Sequence, residues 1–409
     1  MRRLLTTTLF LACGLLAIGR VFTVRSGGSI AGALSAARDR DTVLVSTGTY
    51  IVGTLTIERS IVLLGEGWPV VDGGGKGEVI IVNASNVTIS GIVVRGTLVS
   101  DLNDNAAIKC VTVSDITITG NRIEKCFFGI YLSNVMRATI ADNEVHGDPA
   151  VPETRRANGI HLWKCNSVHV LRNHSTDHRD GIYLEFVTDS HIDHNVSASN
   201  SRYGLHFMFS HRDSYTHNLF GDNGAGVAVM FTKEVVMTDN RFEQNRGGSA
   251  YGLLLKEIND VRIERNIFTD NTVGMMVDGC NRAVIRDNRF TANGWAVRVY
   301  ANSTAVRYEG NAFSGNTFDM TTNGDLVNST LIGNYWDRYT GYDLDRDGVG
   351  DVPFRPLSVF ALVTERMPFA MVLSRSLMVN LLDQSERVIP TMTPAALEDK
   401  SPLMRPPHG

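Results

Sequence analysis

The sequence lacks an excess of charge of either sign. Its 39 Lys+Arg face 43 Asp+Glu, a net charge of −4 over 409 residues. That balance argues against general nucleic-acid binding, which needs a basic face to displace counterions. Long apolar runs are also missing beyond the N-terminus, and a hydrophobic content of 43% is ordinary. A multi-span membrane protein is therefore excluded. Proline is scarce, 11 residues against 38 glycines. Many glycines with few prolines suggest turns of one regular kind, and hence repeats. Glycine loops of the nucleotide-binding type are absent, because Gly73-Gly74-Gly75 opens no helix-start pattern. The length suits two or three compact domains or one long array.

The first residues read as a targeting segment. Met1-Arg2-Arg3 precedes an apolar run from Leu4 to Ile18, the size of a signal-peptide core and too short to span a bilayer comfortably. Small residues at Ala17 and Gly19 predict cleavage after Gly19, so residues 1–19 are expected to be a leader. Export follows, and a bacterial periplasm is the simplest compartment.

A repeat dominates what remains. Gly129-Ile-Tyr-Leu, Gly159-Ile-His-Leu, Gly181-Ile-Tyr-Leu, Gly204-Leu-His-Phe, Gly226-Val-Ala-Val, Gly252-Leu-Leu-Leu and Gly274-Met-Met-Val are one motif, spaced mostly by 22 or 23 residues. An asparagine ladder runs in step through Asn121, Asn143, Asn173, Asn195, Asn218, Asn240, Asn266, Asn288 and Asn311. A further Asn follows five residues later at 200, 223, 245, 271, 293 and 316, after which the repeats fade. Both ladders share the same long steps, so insertions are expected at Gly147–Arg156 and Arg246–Ala250. Apolar residues alternate by two, not by three or four, which predicts short strands. The expected fold is all-β: a right-handed parallel β-helix of about 22-residue coils over residues 46–332. Its ends need caps, since open ends expose strand edges. Residues 20–45 supply a short N-terminal cap, with a helix over Ser29–Arg38 before a first strand at Thr42–Val45. Residues 333–357 form an acidic block, and 358–409 a partly helical extension suited to docking or, equally, to capping the end of the β-helix.

The register sorts side chains. After each motif glycine, positions one, three and six should face inward, and two and four outward. Cys110, Cys165 and Cys280 fall at inward positions and Cys126 at a corner, so they read as small buried residues and not as disulfides. Of 11 histidines, nine lie between 161 and 217. Outward positions hold His161 and Trp163, Tyr183 and Glu185, His206 and Met208, Ala228 and Met230, and Met276 and Asp278. Met208 and Met230 should stack on adjacent coils with His206 beside them. His169 and His191 share another column, as do His194 and His217. Thioether with imidazole suits soft Cu(I), although such residues can also be plain surface columns. The copper candidates are His206, Met208, Met230, Met276, His161, His191, His194 and His217. Asp343, Asp345, Asp347 and Asp351 alternate like the first positions of a calcium loop, with Gly348 at the turn, but Phe354 stands where the closing Glu would be. Ca²⁺ is the candidate ion there. Asp177-His178-Arg179-Asp180 offers an acid/base pair at a coil corner. No catalytic residue is assigned.

An exported repeat of this length resembles the carbohydrate-binding and sugar-hydrolase β-helix group, which would suit a polysaccharide lyase or epimerase. The coils Asn158-Gly-Ile-His-Leu-Trp, Asp180-Gly-Ile-Tyr-Leu-Glu and Tyr203-Gly-Leu-His-Phe-Met are more specific. So are Gly333-Asn-Tyr-Trp-Asp and the run from Gly341 to Pro356. Together they resemble the NosD family over roughly residues 28–390. That resemblance implies a non-enzymatic periplasmic protein that matures nitrous oxide reductase. It would sit on the inner membrane through a NosY-like subunit with a NosF-like ATPase and take Cu(I) from a NosL-like chaperone. The apolar runs after residue 358 would then dock on the membrane subunit.

Overall fold

The computed structural model describes residues 19–373, 376–388 and 397–407. The expected leader lies outside them, Gly19 excepted. Each coil contributes one strand to each of three sheets, which hold 14, 12 and 13 strands. Neighbours in a sheet come from successive coils and pair in parallel, as in His169↔His191, Met208↔Met230 and His174↔Val196. The chain is a parallel β-helix.

Alternation puts the apolar residues inside. Ile130, Leu132, Ile160, Leu162, Ile182, Leu184, Leu205 and Phe207 are fully buried in register. The position-six column, including Val135, Cys165, Val187, Ser210, Thr232, Ile258 and Cys280, is buried as well. Cys110, Cys126, Cys165 and Cys280 are unpaired and buried.

Corners carry the polar bookkeeping. Each ladder Asn donates from Nδ2 to the next Oδ1 at 2.9–3.0 Å. The same Oδ1 accepts the backbone N–H of the preceding ladder residue, as Asn218 does from Asn195 at 2.9 Å. Buried amides thereby find partners without water. The ladder continues past the expected fading point to Asn334, where Asp399 closes it by accepting Nδ2 at 3.0 Å. Leu331 bridges Asp399 and Tyr335 bridges Leu403 in parallel. Residues 397–403 are thus a cap over the last coil.

The opposite end also differs from expectation. A strand at Val21–Val24 precedes the helix and pairs with Thr42–Ser46. The expected first strand is therefore the second. The helix is shorter, Ile30–Ala36, with the Ser29 hydroxyl accepting from Gly32 N–H at its start. Ile30 and Leu34 are buried over the core. At the C-terminal side, the helix Val359–Arg366 packs Phe360 and Ala361 against Phe318 and Val379. A second helix spans Leu377–Val388. Phe369, Val372, Leu377, Met378 and Leu381 remain exposed. No helix among the described residues is long and apolar enough to cross a membrane.

Candidate functional site

The exterior of the 12-stranded sheet is the first candidate face. Met208 and Met230 pair directly in register and are both half-buried, with Glu185 on one side of their column and Lys256 on the other. Adjacent strands lie about 4.8 Å apart, so the two thioethers stand side by side. The corner residues after Glu185, Met208 and Met230 are Phe186, Phe209 and Phe231, whose rings stack at 5.3 and 5.1 Å. All three have left-handed backbones, φ 54°, 49° and 56°. A bulky residue rarely adopts that region. The equivalent corner holds Lys164 one coil earlier and Glu257 one coil later. The phenyl stack therefore coincides with the methionine coils. Sequence reasoning missed it, although the spacing of the three Phe residues matches the repeat.

His206 stands beside this pair but is not open. Its column neighbours are Tyr183 and Ala228. Tyr183 and Tyr203 cover the ring at 5.0 and 4.8 Å, leaving it 5% exposed. Arg202 donates to Nδ1 at 2.8 Å. A guanidinium only donates, so Nδ1 is the acceptor and the proton sits on Nε2. Beneath lies Asp180, fully buried, with Arg202 at 3.3 Å, His206 at 3.6 Å and Arg179 at 3.7 Å. The two guanidinium contacts hold a buried carboxylate in place, with the His206 ring as a neutral neighbour. The acid/base pair considered at 177–180 is thus divided: Asp180 is enclosed, and His178 is buried in the second asparagine ladder, giving its N–H to Asn200. Burial pushes the His178 pKa down to about 3.

The remaining copper candidates separate. His161 is sandwiched between Tyr131 and Tyr183 at 4.5 and 4.7 Å. Burial, with the Arg179 charge, lowers its pKa to about 3. It lies two coils from His206. Met276 sits in the column of Ala228 and Leu254, two coils beyond Met230. His191, His194 and His217 belong to another face. His169 and His191 stack at 5.1 Å and His194 and His217 at 4.5 Å. Asp193 joins the second pair, a residue the sequence reading passed over. Met237, near these histidines in sequence, points into the core.

In the acidic block, Asp343, Asp345 and Asp347 bring carboxylate oxygens within 4.8 Å of one another. Gly348 has φ 89°. Asp343 accepts backbone N–H groups of Arg346, Asp347 and Gly348 at 2.6, 3.2 and 3.0 Å. Asp351 takes the Leu344 N–H at 2.7 Å.

Fold and faces define the class: a parallel β-helix that displays stacked imidazoles and paired thioethers on its outer surface. The chain is similar to the NosD family. The family model, described as periplasmic copper-binding protein (NosD), matches residues 144–341, which include every histidine and methionine candidate above. A Stutzerimonas stutzeri relative named probable ABC transporter binding protein NosD is 28% identical over 87% of this chain and 85% of its own length. A Pseudomonas aeruginosa relative of the same name is 29% identical over 89% and 88%. Among solved structures, the A-module of an Azotobacter vinelandii mannuronan C-5 epimerase, AlgE6, superposes with a TM-score of 0.61 at 15% identity, over 74% of this chain and 92% of that one. A PL6 alginate lyase does so with 0.58 at 10%, over 77% and 85%. Likeness at those identities concerns the fold.

Proposed function

We propose that the chain is the periplasmic, copper-carrying component of an ABC transporter complex. In this reading it accepts Cu(I) from a NosL-like chaperone and assists copper-site assembly in nitrous oxide reductase. A NosY-like membrane subunit holds it at the inner membrane, and a separate NosF-like ATPase hydrolyses ATP. The carrying observation is the in-register pair Met208 and Met230 within the family-matched stretch. Two thioethers suit a soft monovalent ion and release it readily. The Phe186–Phe209–Phe231 stack makes their surroundings apolar. Exposed Phe369, Val372 and Leu377 suit docking on the membrane subunit. A solenoid is stiff, so movement driven by the ATPase takes the form of rigid-body tilting at its base. The Asp343–Asp345–Asp347 loop is a Ca²⁺ site in the same reading.

The test is an anaerobic Cu(I) titration of the chain without its leader, against a competing chelator. Stoichiometric binding is expected, weakened at least about tenfold in Met208→Leu/Met230→Leu. Unchanged affinity in that variant removes the ligand assignment. A second reading, a carbohydrate-active β-helix, is favoured by the Tyr131–His161–Tyr183 stack beside Trp163 on the same sheet. Cleavage or epimerisation of alginate by the purified chain would replace the copper reading.

A further inference from the structure

A different corner of the solenoid, between the 14- and 13-stranded sheets, holds a second donor set. Asp193 ends a strand of the 14-stranded sheet, His194 follows at the corner, and His217 occupies the same corner one coil later. Both histidines have φ 53°, so both side chains leave the backbone in the same direction. Their rings lie 4.5 Å apart and 18° from parallel. One nitrogen of each ring and a carboxylate oxygen of Asp193 fall within 4.8 Å of one another.

Hydrogen bonds decide which nitrogens are available. Asp193 meets His194 Nδ1 at 2.7 Å and His217 Nδ1 at 3.2 Å, and also accepts from the Thr216 hydroxyl. Three donors thus converge on the Asp193 carboxylate. An ionised carboxylate can only accept, so each Nδ1 carries a proton. In the neutral ring Nε2 is then the nitrogen with a lone pair. A carboxylate behind an imidazole is the arrangement that orients histidine ligands and raises their basicity.

The neighbours in the same corner column behave otherwise. Arg172 one coil before pairs with Asp142, and Asp239 one coil after pairs with Arg265, each through two hydrogen bonds. Ion pairs between coils are the rule here, and the two imidazoles interrupt it.

We propose that His194 and His217, oriented by Asp193, bind a borderline divalent cation of the Zn²⁺ or Cu²⁺ class. Imidazole nitrogens suit such ions at about 2.0–2.1 Å, and both rings are exposed. Water completes the open shell. The site is independent of the Met208–Met230 pair, which lies on another sheet, and does not rest on the Cu(I) reading. It joins two consecutive coils, so occupancy stabilises that stretch of the solenoid.

The experiment is calorimetric titration of the leaderless chain with Zn²⁺ alone, followed by Cu²⁺ with electron paramagnetic resonance. One equivalent is expected, with nitrogen couplings in the Cu²⁺ spectrum. Met208→Leu/Met230→Leu should bind both ions as the parent does. His194→Ala/His217→Ala should lose at least about a hundredfold in affinity, and Asp193→Asn roughly 10–100-fold, the scale for an orienting carboxylate. Circular dichroism and Tm measured in chelator establish that the variants fold, and His217→Gln serves if the double variant does not. Absence of binding in the parent overturns the proposal. So does unchanged binding in a folded histidine variant, or loss of Zn²⁺ binding in the methionine variant. The Cu(I) titration separately decides the thioether site.

Discussion

Two stretches of the same solenoid fill one interior column differently. In the later coils, Phe220, Phe242, Phe268, Phe290, Phe313 and Trp336 stand in register, with successive rings 4.2–5.6 Å apart. In the histidine-bearing coils, the same column holds Ser175 and Ser197. Their hydroxyls satisfy Gly181 and Gly204 carbonyls at 2.9 and 2.6 Å. One backbone period thus accommodates a stacked aromatic spine and a small polar interior. His169, His191 and His194 lie on the serine coils, whereas His217 lies on the coil of Phe220, so the His194–His217 stack spans the boundary between the two regions.

The largest effect should come from breaking the spine. Phe268→Ala removes a fully buried ring between two stacked neighbours. A loss of about 3–5 kcal/mol is expected, read as the shift in urea midpoint. Ser197→Ala loses two buried hydrogen bonds, one given to the Gly204 carbonyl and one accepted from Asn200 Nδ2, and should cost about 1–2 kcal/mol. Equal costs would remove the contrast between the two regions.

The asparagine ladder should ignore that contrast. Asn195 and Asn288 make matching bonds in the two regions: to a strand carbonyl at 2.8 Å, to the next ladder Oδ1 at 3.0 Å, and from the preceding ladder N–H at 2.9 Å. Each change to Ala leaves buried backbone groups without partners. A loss of about 2–3 kcal/mol is expected at both. A cost confined to one region would show that its interior, and not the ladder, sets local stability.

Much of this was legible in the sequence, for a physical reason. A coil repeats because identical side chains stack, so Asn121 to Asn311 and the Gly-apolar motif announce period, register and the face of each residue. Met208 against Met230, and His194 against His217, followed from counting alone. What counting cannot reach is contact between unlike neighbours. Nothing in the spacing says that Tyr203 and Arg202 enclose His206, or that Asp193 receives two imidazoles. Nor does it place Asp399 under Asn334, since 65 residues separate them. Phe186, Phe209 and Phe231 were readable by the repeat but were not noticed, because a corner is where polar residues are expected.

A smaller effect belongs to the histidine-bearing region alone. Asp213 is buried, with Oδ1 accepting the Ser190 N–H at 2.7 Å. Burial pushes its pKa up to about 8. The folded state therefore holds a proton that the unfolded chain releases near 3.9. Stability is unaffected by this group below that value and declines as pH rises towards 8. In Asp213→Asn, the fall in Tm between pH 5 and 8 should flatten. A parallel profile in both proteins would place the charge in water and not in the corner.

The smallest effect should come from the ion pairs at the two corners that flank the 14-stranded sheet, which occur in both regions. Arg137 with Asp115, Arg172 with Asp142, Arg212 with Asp189 and Arg282 with Asp260 each bridge adjacent coils at 2.7–2.8 Å. Their arginines are about half exposed, so solvent screens the attraction. Hydrogen bonds from Arg137 and Arg212 hold Asp115 and Asp189 at about 2. Depressed carboxyls stabilise the fold above the ordinary Asp value and lose that contribution as pH falls towards 2. Arg172→Gln and Arg282→Gln should each shift Tm by no more than about 1 °C at neutral pH, and by less in high salt. Arg172 stands one coil from Asp193, whose charge acts on it. A shift at Arg172 well beyond that at Arg282 would tie the Arg172–Asp142 pair to the imidazole pair and make that corner one electrostatic unit.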